Sequence, residues 1–159
     1  MKNVLDVGSG TGDFSSEFKT KNIIPTAVEH SPFGRKMAIG LGVNCLPFDL
    51  TKNPPAEVVG PFDLVYCFEV AEHLPKDLGN DLVKFIASFK SPVVFTAAHP
   101  GQGGTGHINE QPTSYWINAF EKCGLAYDAE TSSRLKRNFD DLGASLWFGA
   151  NVIVLKPIL

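Results

Sequence analysis

Five short runs of apolar, strand-favouring residues recur over the first two thirds of the chain: residues 4–7, 26–29, 43–48, 63–68 and 92–97. They are continuously apolar instead of alternating, which is the pattern of strands covered on both faces. Stretches of helical period lie among them. One covers residues 13–20 and a second 32–40, where Ser31 can act as N-cap and Pro32 as the first helical residue. From Leu78 onward, Leu82, Val83, Phe85, Ile86 and Phe89 recur at three- and four-residue spacing, giving a helix with one face for a sheet. A fourth helix over 113–122 gathers Trp116, Ala119, Phe120 and Cys123, and Gly124 ends it. This alternation predicts a parallel α/β sandwich. With 159 residues, 43% of them hydrophobic, the chain suits one domain spanning 1–159 with a sizeable core.

The last third reads differently. Residues 147–156 (WFGANVIVLK) suggest a long final strand behind a polar loop at 136–145, and a strand near 126–130 is expected to pair with it. The stretch HPGQGGTGHINEQP, residues 99–112, is too long for a simple connection. It leaves the carboxyl end of the fifth expected strand, the side on which open parallel sheets bind ligands.

Charge narrows the partners. A net charge of -3 offers no basic face for DNA. No apolar run approaches the roughly 20 residues a membrane span needs, and no signal-peptide pattern opens the chain, so a cytoplasmic protein with no membrane contact is expected. Cys45, Cys67 and Cys123 lie apart in apolar segments without a paired-cysteine motif, which favours reduced, buried thiols.

The densest chemical signal is VLDVGSGTGDF, residues 4–14. Gly8, Gly10 and Gly12 follow the first strand and leave the main chain open to a ligand at the start of a helix. A dinucleotide fingerprint would need glycine at position 13, where Asp13 stands, and this argues against NAD. The second strand ends in AVEHS, placing Glu29 about 20 residues on, where a carboxylate can accept from both ribose hydroxyls. Charged hydrogen bonds of that kind are worth about 1.5–3 kcal/mol each. The third strand ends in PFDL, from which Asp49 can accept a bond from an adenine amino group.

With these segments, and with PFDLVYCFEVAEHLP at the fourth strand, the chain resembles the class I S-adenosylmethionine-dependent methyltransferases, closely over residues 3–95 and loosely beyond. The resemblance implies a Rossmann-like three-layer α/β sandwich whose mostly parallel seven-stranded sheet ends in an antiparallel hairpin. It implies S-adenosylmethionine as cofactor, surrounded by Asp6, Gly8, Gly10, Glu29, Asp49 and Phe68. Gly12 belongs to the same loop, and His30 and Leu50 neighbour Glu29 and Asp49. Most members carry one or two helices before the first strand that help close the site. Only Met1, Lys2 and Asn3 precede it here, so a lid is expected from residues 99–116, from 134–147, or from a second subunit of a homo-oligomer.

Methyl transfer from a sulfonium is an in-line displacement, so the protein mainly aligns the nucleophile and manages its proton. Glu69, Glu72 and His73 stand at i, i+3 and i+4 and would share one face of an early helix, a set suited to magnesium, manganese or zinc. The string resembles the metal site of ubiquinone-type O-methyltransferases and small-RNA 2′-O-methyltransferases, whose later histidine would be His107 here. It equally resembles metal-independent members in which Glu72 and His73 brace the next helix. His107 is alternatively a general base, with an unperturbed pKa of about 6.5, or a histidine with only local bonds. Asn109, Glu110 and Gln111 beside it could grip a hydroxylated substrate, and His99 could approach the methyl group. Tyr115 and Trp116 are candidates for stacking on a sugar or base, Trp116 more readily for packing. Arg134, Lys136 and Arg137 either meet a phosphate or, with Asp140 and Asp141, form a solvated mixed-charge loop. The expected activity is O-methylation of a small-molecule or glycan hydroxyl; the alternatives are RNA ends, a nitrogen nucleophile, or a non-catalytic ligand-binding domain. No motif identifies the acceptor.

Overall fold

The computed structural model describes residues 1–52, 55–143 and 146–158. Among them seven strands, β1 (Asn3–Val7), β2 (Ile24–Glu29), β3 (Asn44–Pro47), β4 (Leu64–Phe68), β5 (Val93–Thr96), β6 (Leu125–Tyr127) and β7 (Ile153–Pro157), take the sheet order β3-β2-β1-β4-β5-β7-β6. The helices are α1 (Asp13–Thr20), α2 (Pro32–Gly40), α3 (Lys76–Ser88), α4 (Thr113–Glu121), α5 (Ala129–Asp141) and α6 (Leu146–Asn151). Pairing is parallel from β3 through β4 and antiparallel where β7 meets β5 and β6. This is the mostly parallel, Rossmann-like sheet with antiparallel end strands that the alternation and the resemblance implied. The chain forms two compact units, Met1–Phe68 and Glu69–Leu159.

In the first unit, Val4, Leu5, Val7, Ala27, Val28 and Val65 are fully buried, as their continuous apolar runs require. Such side chains contribute about 1.5–3 kcal/mol each on burial. Helix α2 starts where Ser31 accepts the Gly34 N–H at 3.2 Å and Pro32 fills the first turn. Helix α1 has no side-chain cap; left-handed Gly12 leads into it, and Asp13 in its first turn complements the helix dipole. A Cβ on Gly12 would stand 2.6 Å from that of Ala38, so only glycine allows the loop this close to α2.

In the second unit, α3 buries Leu82, Val83, Phe85 and Ile86, and α4 buries Trp116 and Phe120. The Phe95 ring of β5 packs at 5.4 Å from Trp116 and 5.2 Å from Phe120. Trp116 is therefore core, and Tyr115 donates to Asn80 Oδ1 at 2.8 Å. Cys45 and Cys67 are buried and Cys123 half-buried, all as free thiols. Among the described residues no helix is long and apolar enough to cross a membrane.

The C-terminal third departs from the sequence pattern. The polar loop expected at 136–145 is largely helix α5, capped by Asp128 accepting the Thr131 N–H; Ala144 and Ser145 lie outside the described residues. Its inner face carries few apolar residues, Leu135 and Phe139, so apolar periodicity could not reveal it. Arg134, Lys136 and Arg137 lie on its exposed positions. The long strand expected at 147–156 is half helix: α6 runs to Asn151 and only Ile153–Pro157 is strand. A Cβ on Gly149 would meet Asp140 Oδ1 at 2.7 Å, so glycine admits α6 against α5. The strand expected at 126–130 pairs with β7 but stops at Tyr127, since Asp128 begins α5.

Candidate functional site

In the first unit the glycine loop is held by its backbone. Gly8 and Ser9 both donate to the Val28 carbonyl, at 2.8 and 3.2 Å. Gly10 donates to Glu29 Oε2 at 2.8 Å, and Ser31 donates to Glu29 Oε1 at 2.6 Å. One carboxylate thus ties the loop to the start of α2, and each oxygen keeps lone pairs for further donors. Gly10 is left-handed, with φ +55°, and an added Cβ there would meet nothing within 4 Å, so the loop faces open space. Behind it Asp6 accepts from the Ser15 hydroxyl at 2.8 Å, and Ser15 lies 3.1 Å from the Tyr66 hydroxyl. Burial pushes the Asp6 carboxyl up to about 6 and raises the Tyr66 hydroxyl above its usual value.

The structure thus brings Gly8, Gly10, Gly12 and Glu29 together and sets Asp6 behind them as a brace. Half-buried Phe68 packs against Phe14 at 5.1 Å and Tyr66 at 5.2 Å. Asp49 is engaged locally: it pairs with Lys52 at 2.8 Å and accepts the Thr51 N–H at 3.0 Å and hydroxyl at 2.6 Å. These donors, Lys52 first, hold its carboxyl below the usual range. His30 Nδ1 lies 3.2 Å from the Phe48 carbonyl, and Leu50 is half-buried after Asp49.

In the second unit a single 3₁₀ turn, Ala71–His73, follows β4. The expected common face of Glu69, Glu72 and His73 does not form, because Glu69 precedes the turn with a left-handed backbone, φ +53°. Instead Glu72, His73 and His107 each offer one potential ligand atom within 4.8 Å of the others, and Glu69 stands outside that group. Glu72 is fully buried; Oε1 accepts the Ala98 N–H at 3.2 Å, while Oε2 has no hydrogen-bond partner among the described residues. Burial, with Glu69 adding to it, raises its carboxyl above the ordinary range. His73 Nδ1 lies 3.3 Å from the Gly106 carbonyl, His107 Nδ1 3.2 Å from Glu110 Oε1, and the two rings meet edge to face at 4.9 Å.

Residues 99–112 are pinned to this turn. Ile108 and Asn109 donate to the Glu72 carbonyl at 2.9 and 3.0 Å, and the buried Asn109 amide donates to the Ala71 carbonyl at 3.2 Å. Glu110 accepts the Gly101 and Gly103 N–H groups, both at 2.8 Å; led by Gly101, these bonds keep its carboxyl below the usual range. Glu110 therefore organises the loop that carries His107, a role beyond gripping substrate. Exposed His99 is outside the group. The sequence reading missed Gln102 and Asn151, whose amides bond to Glu69 and to each other.

Comparison with known proteins places this geometry in a broader setting. A family model described as a methyltransferase domain matches residues 1–102. No curated protein sequence matches. The fold is similar to that of the sugar N-methyltransferase KedS8 from Streptoalloteichus, with a TM-score of 0.74 at 15% identity over 99% of this chain and 81% of that one. An O-methyltransferase from a polyketide synthase of Brevibacillus brevis, in complex with S-adenosyl-L-homocysteine, gives 0.66 at 16% identity over 98% and 66%. YcgJ from Bacillus subtilis gives 0.65 at 17% identity over 80% of this chain, which spans only 63% of that protein. One fold thus serves acceptors on nitrogen and on oxygen.

Proposed function

The chain belongs to the methyltransferase-domain family, and from that premise we propose that it is an S-adenosylmethionine-dependent O-methyltransferase, one domain throughout, acting in the cytoplasm on a hydroxyl of a small molecule or glycan. The observation that carries the oxygen acceptor is the grouping of His107 and His73 with the partly unsatisfied Glu72. A hydroxyl must shed its proton to attack, and this group can receive one.

The first unit fits the cofactor: the side-chain-free space at Gly10 admits an amino-acid or sugar moiety, and Glu29 retains lone pairs for ribose hydroxyls. When bound, S-adenosylmethionine supplies an electrophilic methyl group. Glu29 orients the nucleoside end, and the start of α1 receives its polar atoms. In the second unit Glu110 holds the His107 Nδ1 side, leaving Nε2 to take the acceptor's proton. Asn109 and Gln111, linked at 2.9 Å, offer hydrogen bonds to a polyhydroxylated acceptor.

A metal-assisted variant rests on one observation, Glu72 Oε2, without a hydrogen-bond partner among the described residues, beside two imidazoles whose Nδ1 atoms face oxygen acceptors, the arrangement that orients metal-ligating histidines. Glu72, His73 and His107 would hold a divalent ion, which would lower the pKa of a coordinated hydroxyl.

Calorimetry with S-adenosylhomocysteine and turnover on a panel of hydroxylated acceptors test the reading together. His107→Ala is expected to lower turnover by about 10²–10⁴-fold with unchanged affinity for S-adenosylhomocysteine. Full activity in that variant would remove His107 from the chemistry. Turnover unaffected after exhaustive chelation would remove the metal.

A further inference from the structure

Glu69 is an unusual place for a glutamate. Its φ of +53° costs on the order of 1 kcal/mol or more in a residue with a Cβ. Two bonds from its own N–H, to the Thr96 carbonyl and hydroxyl at 3.1 Å each, hold that backbone. Among the described residues its carboxylate is met by neutral amides: Gln102 Nε2 at 3.4 Å on one oxygen and Asn151 Nδ2 at 3.4 Å on the other. Asn151 Nδ2 also donates to Gln102 Oε1 at 2.8 Å, so the three side chains form one cluster. Asn151 is 3% exposed, yet its Oδ1 has no partner among the described residues. Burying an amide oxygen unpaired costs about 1–3 kcal/mol. The cluster therefore combines a carboxylate with long, weak bonds and an orphaned carbonyl, and no lysine or arginine is within ion-pair distance of Glu69 among the described residues. What it lacks is a cation with several N–H donors.

We infer that Glu69, with Asn151 and Gln102 positioning it, binds a protonated amine on the methyl acceptor, so that the preferred acceptors carry an ammonium group as well as a hydroxyl. This rests on the methyl-transfer reading above and names its substrate class. An ammonium has three donors, enough to engage both Glu69 oxygens at once, whereas a neutral hydroxyl has one. Charge-assisted bonds are roughly twice as strong as neutral ones.

Matched probes decide it: glucosamine against glucose, and tyramine against tyrosol, titrated by calorimetry into protein saturated with S-adenosylhomocysteine, with turnover measured in parallel. The amino member of each pair is expected to bind at least tenfold more tightly, and Glu69→Gln is expected to erase that difference by weakening the amino member alone. Equal binding within both pairs, or no binding by either amine, overturns the inference. So does loss of S-adenosylhomocysteine affinity in Glu69→Gln, which would assign the carboxylate to the cofactor's own amine. Amine binding that depends on Glu69 without any methyl transfer would uphold the subsite and refute the methyl-transfer reading, so the two fail separately.

Discussion

The two units differ in how the polar groups of their candidate sites are satisfied. In Met1–Phe68 the groups that shape the candidate site are mostly backbone and are satisfied internally: loop N–H groups bond to the Val28 carbonyl and to Glu29, with Asp6, Ser15 and Tyr66 satisfying one another behind them. In Glu69–Leu159 they are side chains, and among the described residues every buried side-chain polar atom without a partner lies there, Glu72 Oε2 and Asn151 Oδ1 included. A backbone cradle suits a ligand that never changes. Unsatisfied, side-chain-built groups can be recast by substitution, which suits an acceptor that differs between enzymes of one fold.

The strongest test of that contrast is Gly12→Ala. The added Cβ would clash with Ala38 and demand a left-handed alanine, so denaturant unfolding is expected to show a loss of roughly 2–5 kcal/mol. A near-neutral result would mean that the cradle is less rigid than its packing indicates.

Next in size is the pH response of Asp6. Its carboxyl, normally near 3.8, sits at about 6 in the fold, so the folded state holds the proton more tightly than the unfolded chain does. The stabilisation is complete below about 3.8 and is lost as pH rises through about 6, amounting to about 3 kcal/mol. Asp6→Asn should lack this dependence, so wild type minus variant stability should fall between pH 4 and 6. A parallel pair of curves would refute the buried-brace role.

Glu29→Ala should reduce S-adenosylhomocysteine affinity by roughly 10–100-fold, equivalent to about 1.5–3 kcal/mol, by calorimetry. Retained affinity would mean that the backbone alone holds the ligand. The smallest stability change belongs to Gly10→Ala, about 1–2 kcal/mol from its positive φ, because the new methyl enters open space. Its affinity loss should exceed its stability loss. The reverse would show that Gly10 serves folding more than binding.

How much could be read without the structure follows the same division. Helices α1 and α2 were legible to the residue, because Gly12, Ser31, Pro32 and a continuous apolar strand on each side are local signals. The placing of Glu29 beside the glycine loop was legible too, since a left-handed turn needs glycine at fixed offsets from a strand end. Helices α5 and α6 were not. Their boundaries depend on Gly149 meeting Asp140 and on Phe139 meeting Phe148 at 5.6 Å, contacts that no local pattern encodes.

By itself, then, the sequence determined the alternating sheet architecture, the family resemblance and the glycine loop with Glu29 beside it, because hydrophobic period, capping and bare backbone act over a few residues. Only the tertiary structure decided which polar side chains converge: it took Glu69 away from Glu72 and His73 and gave it to Gln102 and Asn151, which stand 33 and 82 positions away. The physical reason is that a half-buried carboxylate must find its donors in space, and partners that far along the chain are chosen by packing.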